Sequence, residues 1–229
     1  MPHSGENLGR LSSRKRVRLS GAILAGGNAS RYGGRPKGLL PLGEGGTILG
    51  RTIGELRAAG LDDIVVVAND RQIYARFGRE VVADLRPGLG PLGGIEAALN
   101  HLAPRCDGVL LLPCDLPGIT AEEIAALRRA FVSVPAPVVM AETERGRCHP
   151  LCAVVEVSIG PAVSQAIDAG RRSPYRLWLA LGAALVHFER AAPFFNLNTP
   201  DDAARWRRAN PSRRAGVSTA VETASRVRR

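Results

Sequence analysis

The sequence predicts a three-layer α/β domain, a mostly parallel sheet with helices on both faces. Two observations carry the prediction. Short apolar runs of four to seven residues, rich in Val, Ile and Leu, alternate with helix-like segments through most of the chain. Runs of that kind suit strands covered on both faces, and strand followed by helix in turn gives parallel pairing with crossover helices on either side. The length of 229 residues fits one domain, large enough to bury roughly 70% of the surface its unfolded chain would expose.

The elements follow in order. Strands are expected over residues 19–25, 64–68, 80–83 and 109–113, with helical patterns between and after them at 47–59, 92–102 and 120–131. The last of these has a defined start, because Thr120 can cap it and Glu123, three residues on, closes a capping box. That makes "PCDLPGI" the loop before the helix. Strands over 138–141 and 151–157 come next, then helices over 158–169 and 174–181 and a strand over 184–188. A final helix opens at "NTPDD", with Thr199 as cap and Pro200 in the first turn.

The net charge of +10 invites a polyanionic partner until it is divided along the chain. Residues 1–18 hold five basic residues and one acidic, residues 203–229 hold eight and one, and the 184 residues between hold 18 and 19. The basicity belongs to the ends. With few large apolar residues, residues 1–18 and 207–229 read as disordered basic tails, and no aromatic residue is interleaved in them to stack on bases, so nucleic-acid binding is the minor reading. No run of about 18 apolar residues is present, which argues against a membrane span. "RKRVR" followed by "LSGAILAGG" imitates a signal peptide, but the apolar core is short and a glycine and arginine run stands where a cleavage site belongs. A cytoplasmic enzyme is the expectation. Cys106, Cys114, Cys148 and Cys152 show no Cys-x-x-Cys pair, and buried thiols suit them better than a zinc site built from Cys148, His149 and Cys152.

In an open, Rossmann-like α/β sheet, ligands bind beyond the carboxyl ends of the strands. The loops after the first four strands carry Gly26 to Lys37, Asn69 and Asp70, Asp84, and Cys114 and Asp115. This set offers backbone amides and a lysine for phosphate, and carboxylates for a metal or a ribose. The glycine loop "LAGGNASRYGGRPKGLLPL" is neither a dinucleotide fingerprint nor a Walker loop, since Lys37 follows proline and precedes glycine. Alone it could be a turn; with Arg31 and Lys37 inside it, a triphosphate cradle is the better reading. Lys37 stands out for a second reason: of 31 basic residues only Lys15 and Lys37 are lysine. Asp115 follows the buried run "VLLLPC" directly, so its carboxylate emerges at a strand end, where it could hold magnesium together with substrate phosphates or simply cap a loop.

Five segments then appear in an order that resembles the molybdenum cofactor guanylyltransferases: the glycine loop above, "GPLGGI" from Gly90, "PCDLP" from Pro113, "HPLCAVV" from His149 and "FNLNTPDD" from Phe195. The resemblance covers about residues 19–206, and the first motif is shared with the wider nucleotidyltransferase superfamily. It implies a fold of the nucleotide-diphospho-sugar transferase type, with a nucleotide-binding half over about 19–118 and an acceptor-binding half over about 119–206. Residues 1–18 and 207–229 are left as tails. It also implies a magnesium-dependent guanylyl transfer from GTP to the terminal phosphate of molybdenum-bound molybdopterin, and it admits molybdoenzymes or their chaperones as partners. Leu24, Ala25, Gly26, Gly27, Gly34, Lys37, Asn69, Asp84, Gly90, Gly94 and Asp115 match nucleotide-binding positions of the family. Arg31, Lys37 and Asp115 match catalytic positions, with the magnesium on Asp115, and Arg172, Asn196 and Asn198 match the acceptor side.

Three alternatives stand beside this reading. A molybdopterin cytidylyltransferase tends to carry Leu-Ala-Ala-Gly in the first loop, where this chain has Gly26 and Gly27 after Ala25. A sugar-1-phosphate nucleotidyltransferase generally has a longer acceptor part than the one that follows Asp115. A nucleic-acid-binding protein would act through the basic tails.

An acceptor phosphate is already anionic, so the reaction needs alignment and charge neutralisation rather than a general base. This agrees with the absence of an obvious base in the motif loops, and it places His149 as a structural or acceptor-side residue.

Overall fold

A computed structural model describes residues 17–26, 36–42 and 46–210. Its seven described strands form one sheet in the order β3-β2-β1-β4-β6-β5-β7. They are β1 (Leu19–Leu24), β2 (Ile64–Val67), β3 (Glu80–Val82), β4 (Gly108–Pro113), β5 (Val138–Thr143), β6 (Arg147–Glu156) and β7 (Ala184–Phe188). β1 pairs in parallel with β2 and β4, β2 with β3, and β5 with β7. β6 alone is antiparallel to its neighbours, β4 and β5. The reversal follows from the tight connection after β5, where Arg145 and Gly146 both take positive φ (59° and 70°) and turn the chain straight back. The carboxyl ends of the other six strands therefore lie along one edge of the sheet.

The helices are α1 (Ile48–Ala58), α2 (Arg71–Ala75), α3 (Pro91–Leu102), α4 (Ala121–Ser133), α5 (Gly160–Asp168), α6 (Pro174–Ala180) and α7 (Pro200–Ala209). The capping box expected at Thr120 with Glu123 is formed, and Thr199 caps the last helix as expected, its cap being in fact a second capping box completed by Asp202. α2 was not apparent in the hydrophobic pattern; Asp70 caps it by accepting from the Ile73 amide at 3.2 Å. α7 continues to Ala209, three residues past the expected domain boundary at 206.

Two apolar layers sandwich the sheet. On one face α3, α5 and α6 pack through Leu92, Ile95, Val163 and Trp178; on the other α1 and α4 pack through Leu49, Leu56, Ile124 and Leu127. A third, smaller cluster of Leu40, Ile48, Leu197, Ala203 and Trp206 fastens α7 to α1 and to the segment around Lys37. Register in the β5–β6 ladder shifts between Met140 and Ala141, where β6 passes from Ala153 to His149. Pro150 lies in that irregularity, and its freed carbonyl accepts the Trp178 indole N–H at 2.8 Å.

Candidate active site

Asp115 sits directly beyond β4 with its side chain only 12% exposed. Lys37 Nζ donates to its Oδ2 at 3.1 Å, and Asn196 Nδ2 donates to its Oδ1 at 2.9 Å. Lys37 Nζ also donates to Asn198 Oδ1 at 2.9 Å. The four side chains thus form one cluster drawn from three distant parts of the chain. The alternation expected of an extended segment explains the asparagines. Leu197, between them, is buried against Ile48 and Trp206 and donates its amide to the Asp115 main-chain oxygen at 2.9 Å, so its two neighbours face the carboxylate. Asn198 uses its backbone amide, not its side chain, to join the cap of α7 through Asp202 at 3.0 Å.

Lys37 opens a short 3-10 turn, Lys37–Leu39, behind Pro36. Gly38 is why the turn can lie against β4: a Cβ there would meet the Cys114 Cβ at 3.3 Å and the Leu49 Cβ at 3.4 Å. A side chain at residue 38 would be a tight fit, admitted only if Cys114, Leu49 or the turn itself yields by a few tenths of an ångström.

Beyond β2 and β3 a second polar pair forms. Asn69 Nδ2 donates to Asp84 Oδ2 at 3.2 Å, and the Asp84 amide donates to Asn69 Oδ1 at 2.9 Å. Gly94, on the first turn of α3, is packed beside this pair; an added Cβ would touch Val67, Asp84 and Leu24 at 3.4–3.5 Å. Gly90 caps α3 with φ 67°, a conformation that admits glycine most readily, and Pro91 follows at the first helical position. Leu24 and Ala25 end β1 between β2 and β4: the Ala25 amide donates to the Val67 oxygen at 2.9 Å, and the Leu24 oxygen accepts from Cys114 at 3.1 Å. Gly26 is exposed, with no described residue within 4 Å of the place a Cβ would take. Gly27, Arg31 and Gly34 lie outside the described residues.

Arg172 is not brought to the Asp115 cluster by its described bonds. Its guanidinium donates to the carbonyls of Ile167 at 3.1 Å and Arg171 at 2.8 Å, capping the end of α5. Asp70, grouped with the crevice carboxylates from its position after β2, is used as the α2 cap.

Four residues were not singled out by sequence reasoning. Tyr74, on α2, donates its hydroxyl to the Ala25 oxygen at 3.3 Å, and burial pushes its phenol well above the ordinary range. Arg86, in the loop between β3 and α3, bonds Glu96 and Asp168 and so ties that loop to both α3 and α5. Glu96 is buried, and the Arg86 hydrogen bonds hold its carboxyl below the usual carboxylate range, with Ser164 Oγ adding a bond at 2.6 Å. Trp206 is buried in the small cluster that anchors α7.

His149 is buried, shares a hydrogen bond with Thr143 Oγ1 through Nε2 at 2.9 Å, and stacks on Phe194 with centroids 4.8 Å apart. Burial, with the nearby Arg147 charge, pushes its imidazole down to about 4. The ring is therefore neutral at physiological pH. Burial likewise raises the Cys114 thiol to about 12 and Cys152 still further. Among the described residues no group of three or more His, Cys, Asp or Glu side chains could hold a metal ion. Asp115 is thus a lone carboxylate there, with the Lys37 ammonium on its Oδ2 and the Asn196 amide nitrogen on its Oδ1, so a metal would displace at least one of these donors and take its remaining ligands from substrate phosphates. That donor set suits magnesium, a hard ion commonly bound by one or two carboxylates with substrate oxygens completing the shell.

The MobA-like NTP transferase domain family matches residues 21–184, most of the chain. The chain belongs to that family. Among its relatives is the molybdenum cofactor guanylyltransferase of Serratia proteamaculans (strain 568), 33% identical over 191 residues, which cover 82% of this chain and 93% of the relative. A probable molybdenum cofactor guanylyltransferase of Rhodopirellula baltica is 32% identical over 190 residues, covering 80% and 89%. In fold, this MobA-like chain is similar to the molybdopterin-guanine dinucleotide biosynthesis protein A of Archaeoglobus fulgidus, with a TM-score of 0.70 at 23% identity over 84% of this chain and 99% of that one. No described helix is long and apolar enough to cross a membrane.

Proposed function

We propose that this MobA-like chain is a cytoplasmic guanylyltransferase that moves GMP from GTP to the terminal phosphate of molybdenum-bound molybdopterin. The observation that carries the reading is the cluster of Lys37, Asp115, Asn196 and Asn198, which joins the nucleotide-side loops to the acceptor-side segment at one point. In the reaction an oxygen of the acceptor phosphate attacks the α-phosphorus of GTP, a new P–O bond forms, and the bond from the α-phosphorus to the bridging oxygen breaks. Pyrophosphate departs with the electron pair.

The residues present serve alignment and charge. Asn69 and Asp84 offer a hydrogen-bonding edge to the nucleoside, with Gly26, Gly90 and Gly94 leaving room for close approach. The Lys37 ammonium neutralises charge growing on the pyrophosphate, and a compact ammonium follows that charge from oxygen to oxygen more readily than a planar guanidinium. Asp115 would hold magnesium, which when bound shields the phosphate oxygens from one another. Lys37 and Asn196 now occupy both oxygens of that carboxylate, so the loaded site requires at least one of them to turn toward substrate.

The test is turnover of purified chain with magnesium and molybdenum-loaded molybdopterin against GTP, CTP, ATP and UTP in parallel. The expected product is the guanine dinucleotide, with pyrophosphate released in equal amount. Equal or faster turnover of CTP would move the chain to the cytidylyl branch, and no transfer to a pterin acceptor from any nucleotide would overturn the reading.

A further inference from the structure

The Lys37–Asp115–asparagine cluster is assembled from three segments, and one helix touches all of them. The first turn of α1 carries Ile48, Leu49 and Arg51. Ile48 packs in one cluster with Leu197, the residue between the two asparagines. The Leu49 Cβ lies 3.4 Å from the place a Cβ on Gly38 would take, directly against the Lys37 turn. Arg51 reaches the third segment, the loop that follows Asp115. Its Nε donates to the Pro117 oxygen at 3.0 Å and its Nη2 to the Ile119 oxygen at 3.3 Å.

Glu55, one turn further along α1, completes the grip. Its Oε1 pairs with Arg51 Nη2 at 2.9 Å, and its Oε2 accepts from the Ala121 amide at 2.7 Å. That amide opens α4, at a helix start where N–H groups lack intrahelical partners. Two side chains of α1 thus hold three main-chain groups of residues 117–121. Residues 115–119 are all buried, so their carbonyls need partners inside the protein. The planar guanidinium serves two of them and still meets the carboxylate, whereas a lysine would bring one nitrogen to the same three acceptors. Gly118, between the two bonded carbonyls, runs so close to Ala192 that a Cβ there would lie 2.8 Å from the Ala192 oxygen. The loop is therefore fixed within two residues of the carboxylate.

We propose that Arg51, braced by Glu55, is a positioning residue of the active site, which sets the loop carrying Asp115 at the distance from Lys37 and Asn196 that the transfer requires. It acts through another residue: its effect passes along the main chain from Pro117 to Asp115. The inference rests on the reading of Asp115 as the metal-bearing carboxylate in guanylyl transfer. It adds the part of the chain that holds this carboxylate in place.

The test compares Arg51→Ala and Arg51→Lys with Arg57→Ala, a control on the same helix whose side chain is exposed. Metal affinity is read without turnover, by paramagnetic resonance titration of the full chain with manganese and a GTP analogue bridged by methylene between its α- and β-phosphates. Asp115→Asn identifies the part of the signal that depends on the carboxylate, and turnover and melting temperature are measured on the same samples. Arg51→Ala should bind manganese about 10- to 100-fold more weakly, the usual loss when the partner that orients a metal ligand is removed. The magnesium needed for half-maximal turnover should rise in proportion, while affinity for the metal-free analogue stays at the parent's value. Arg51→Lys, which keeps a cation beside Glu55, should melt close to the parent yet retain most of the metal deficit, and Arg57→Ala should match the parent throughout. Parent-like manganese affinity in either Arg51 variant would overturn the inference. Manganese binding that survives Asp115→Asn would instead remove the metal assignment. Turnover of Arg51→Lys would then decide: the parent's rate overturns the positioning role, and a lowered rate at an unchanged melting temperature supports it. The same Arg51 deficit in a chain that transfers a different nucleotide would leave the positioning role standing and remove only the guanylyl reading.

Discussion

Beyond β2 and β3 the polar side chains satisfy one another: Asn69 and Asp84 exchange two hydrogen bonds, and Arg86 is held by Glu96 and Asp168. Beyond β5 and β7 the arrangement is reversed, with Arg147, Arg190 and Arg205 around a cavity and no ion pair for them among the described residues. The first wall has its shape before any ligand arrives. The second is an exposed, positively charged opening. Substitutions in the first wall should therefore register as stability and geometry, and substitutions in the second as affinity. Between the two lies the Lys37–Asp115–asparagine cluster, where both kinds of effect should meet.

The largest effects are expected at that junction. In Asp115→Asn an amide donor would face either the Lys37 ammonium or the Asn196 amide, both donors themselves. Turnover should collapse and no longer respond to magnesium, while the fold survives because Leu197 is anchored on the main-chain oxygen of residue 115. Full activity at low magnesium would remove Asp115 as the metal ligand. Lys37→Ala should lower turnover about 10²–10³-fold, the loss typical of one preorganised charge-stabilising donor. Its melting temperature should hardly change, and Lys37→Arg should restore only part of the rate. An arginine variant as fast as the parent would show that the form of the cation is immaterial.

A smaller effect, and one that discriminates between the walls, is expected from replacing Asn196 and Asn198 together by alanine. KM for the acceptor should rise, with GTP affinity mostly kept. Weakened GTP binding beside an unchanged acceptor response would place the asparagines on the nucleotide wall.

Arg86→Ala probes the prebuilt wall. The Glu96 carboxyl is held low in the folded protein, so its contribution to stability is present above the ordinary carboxylate range and disappears as pH falls through its depressed value. Without Arg86 the same buried carboxylate has lost its principal partner at neutral pH and is relieved by protonation in acid. The melting-temperature deficit of the variant should accordingly be largest near pH 7 and shrink toward pH 4. A deficit independent of pH would show that Arg86 acts by packing alone.

The smallest change expected is the pH response of His149. In the unfolded chain it gains a proton as pH falls through the usual 6.5, whereas in the folded protein burial delays this to about 4. Stability should fall as pH drops across that interval. His149→Phe, which keeps the ring stack, should flatten the slope in thermal melts recorded from pH 7 to pH 4.

The strands and the two capped helices were readable because their signals are local. Val-rich runs and Thr120 with Glu123 declare themselves within a few residues. Asp115, Lys37 and the asparagines were also visible, as residue types placed at strand or helix ends. Arg86 was not, because one of its carboxylate partners is 82 positions away and nothing near Asp168 marks it as a partner. Asp70 misled for a related reason: a carboxylate after a strand and a carboxylate capping a short helix look alike until the helix is seen. The cavity was hidden more completely, since its walls come from residues 118, 143–149 and 190–210 and no stretch of sequence contains it.

The bond from Lys37 to Asn198 spans 161 positions, and Leu197 must seat before either asparagine can turn toward Asp115. During synthesis, then, the glycine loop, the lysine and the aspartate leave the ribosome long before the residues that complete them. A nascent chain stalled before residue 196 could build the strands and fold much of the sheet, yet it would lack both asparagine contacts to the carboxylate and the ammonium. Competence arrives late in translation, when α7 docks and closes one of the longest loops among the described residues.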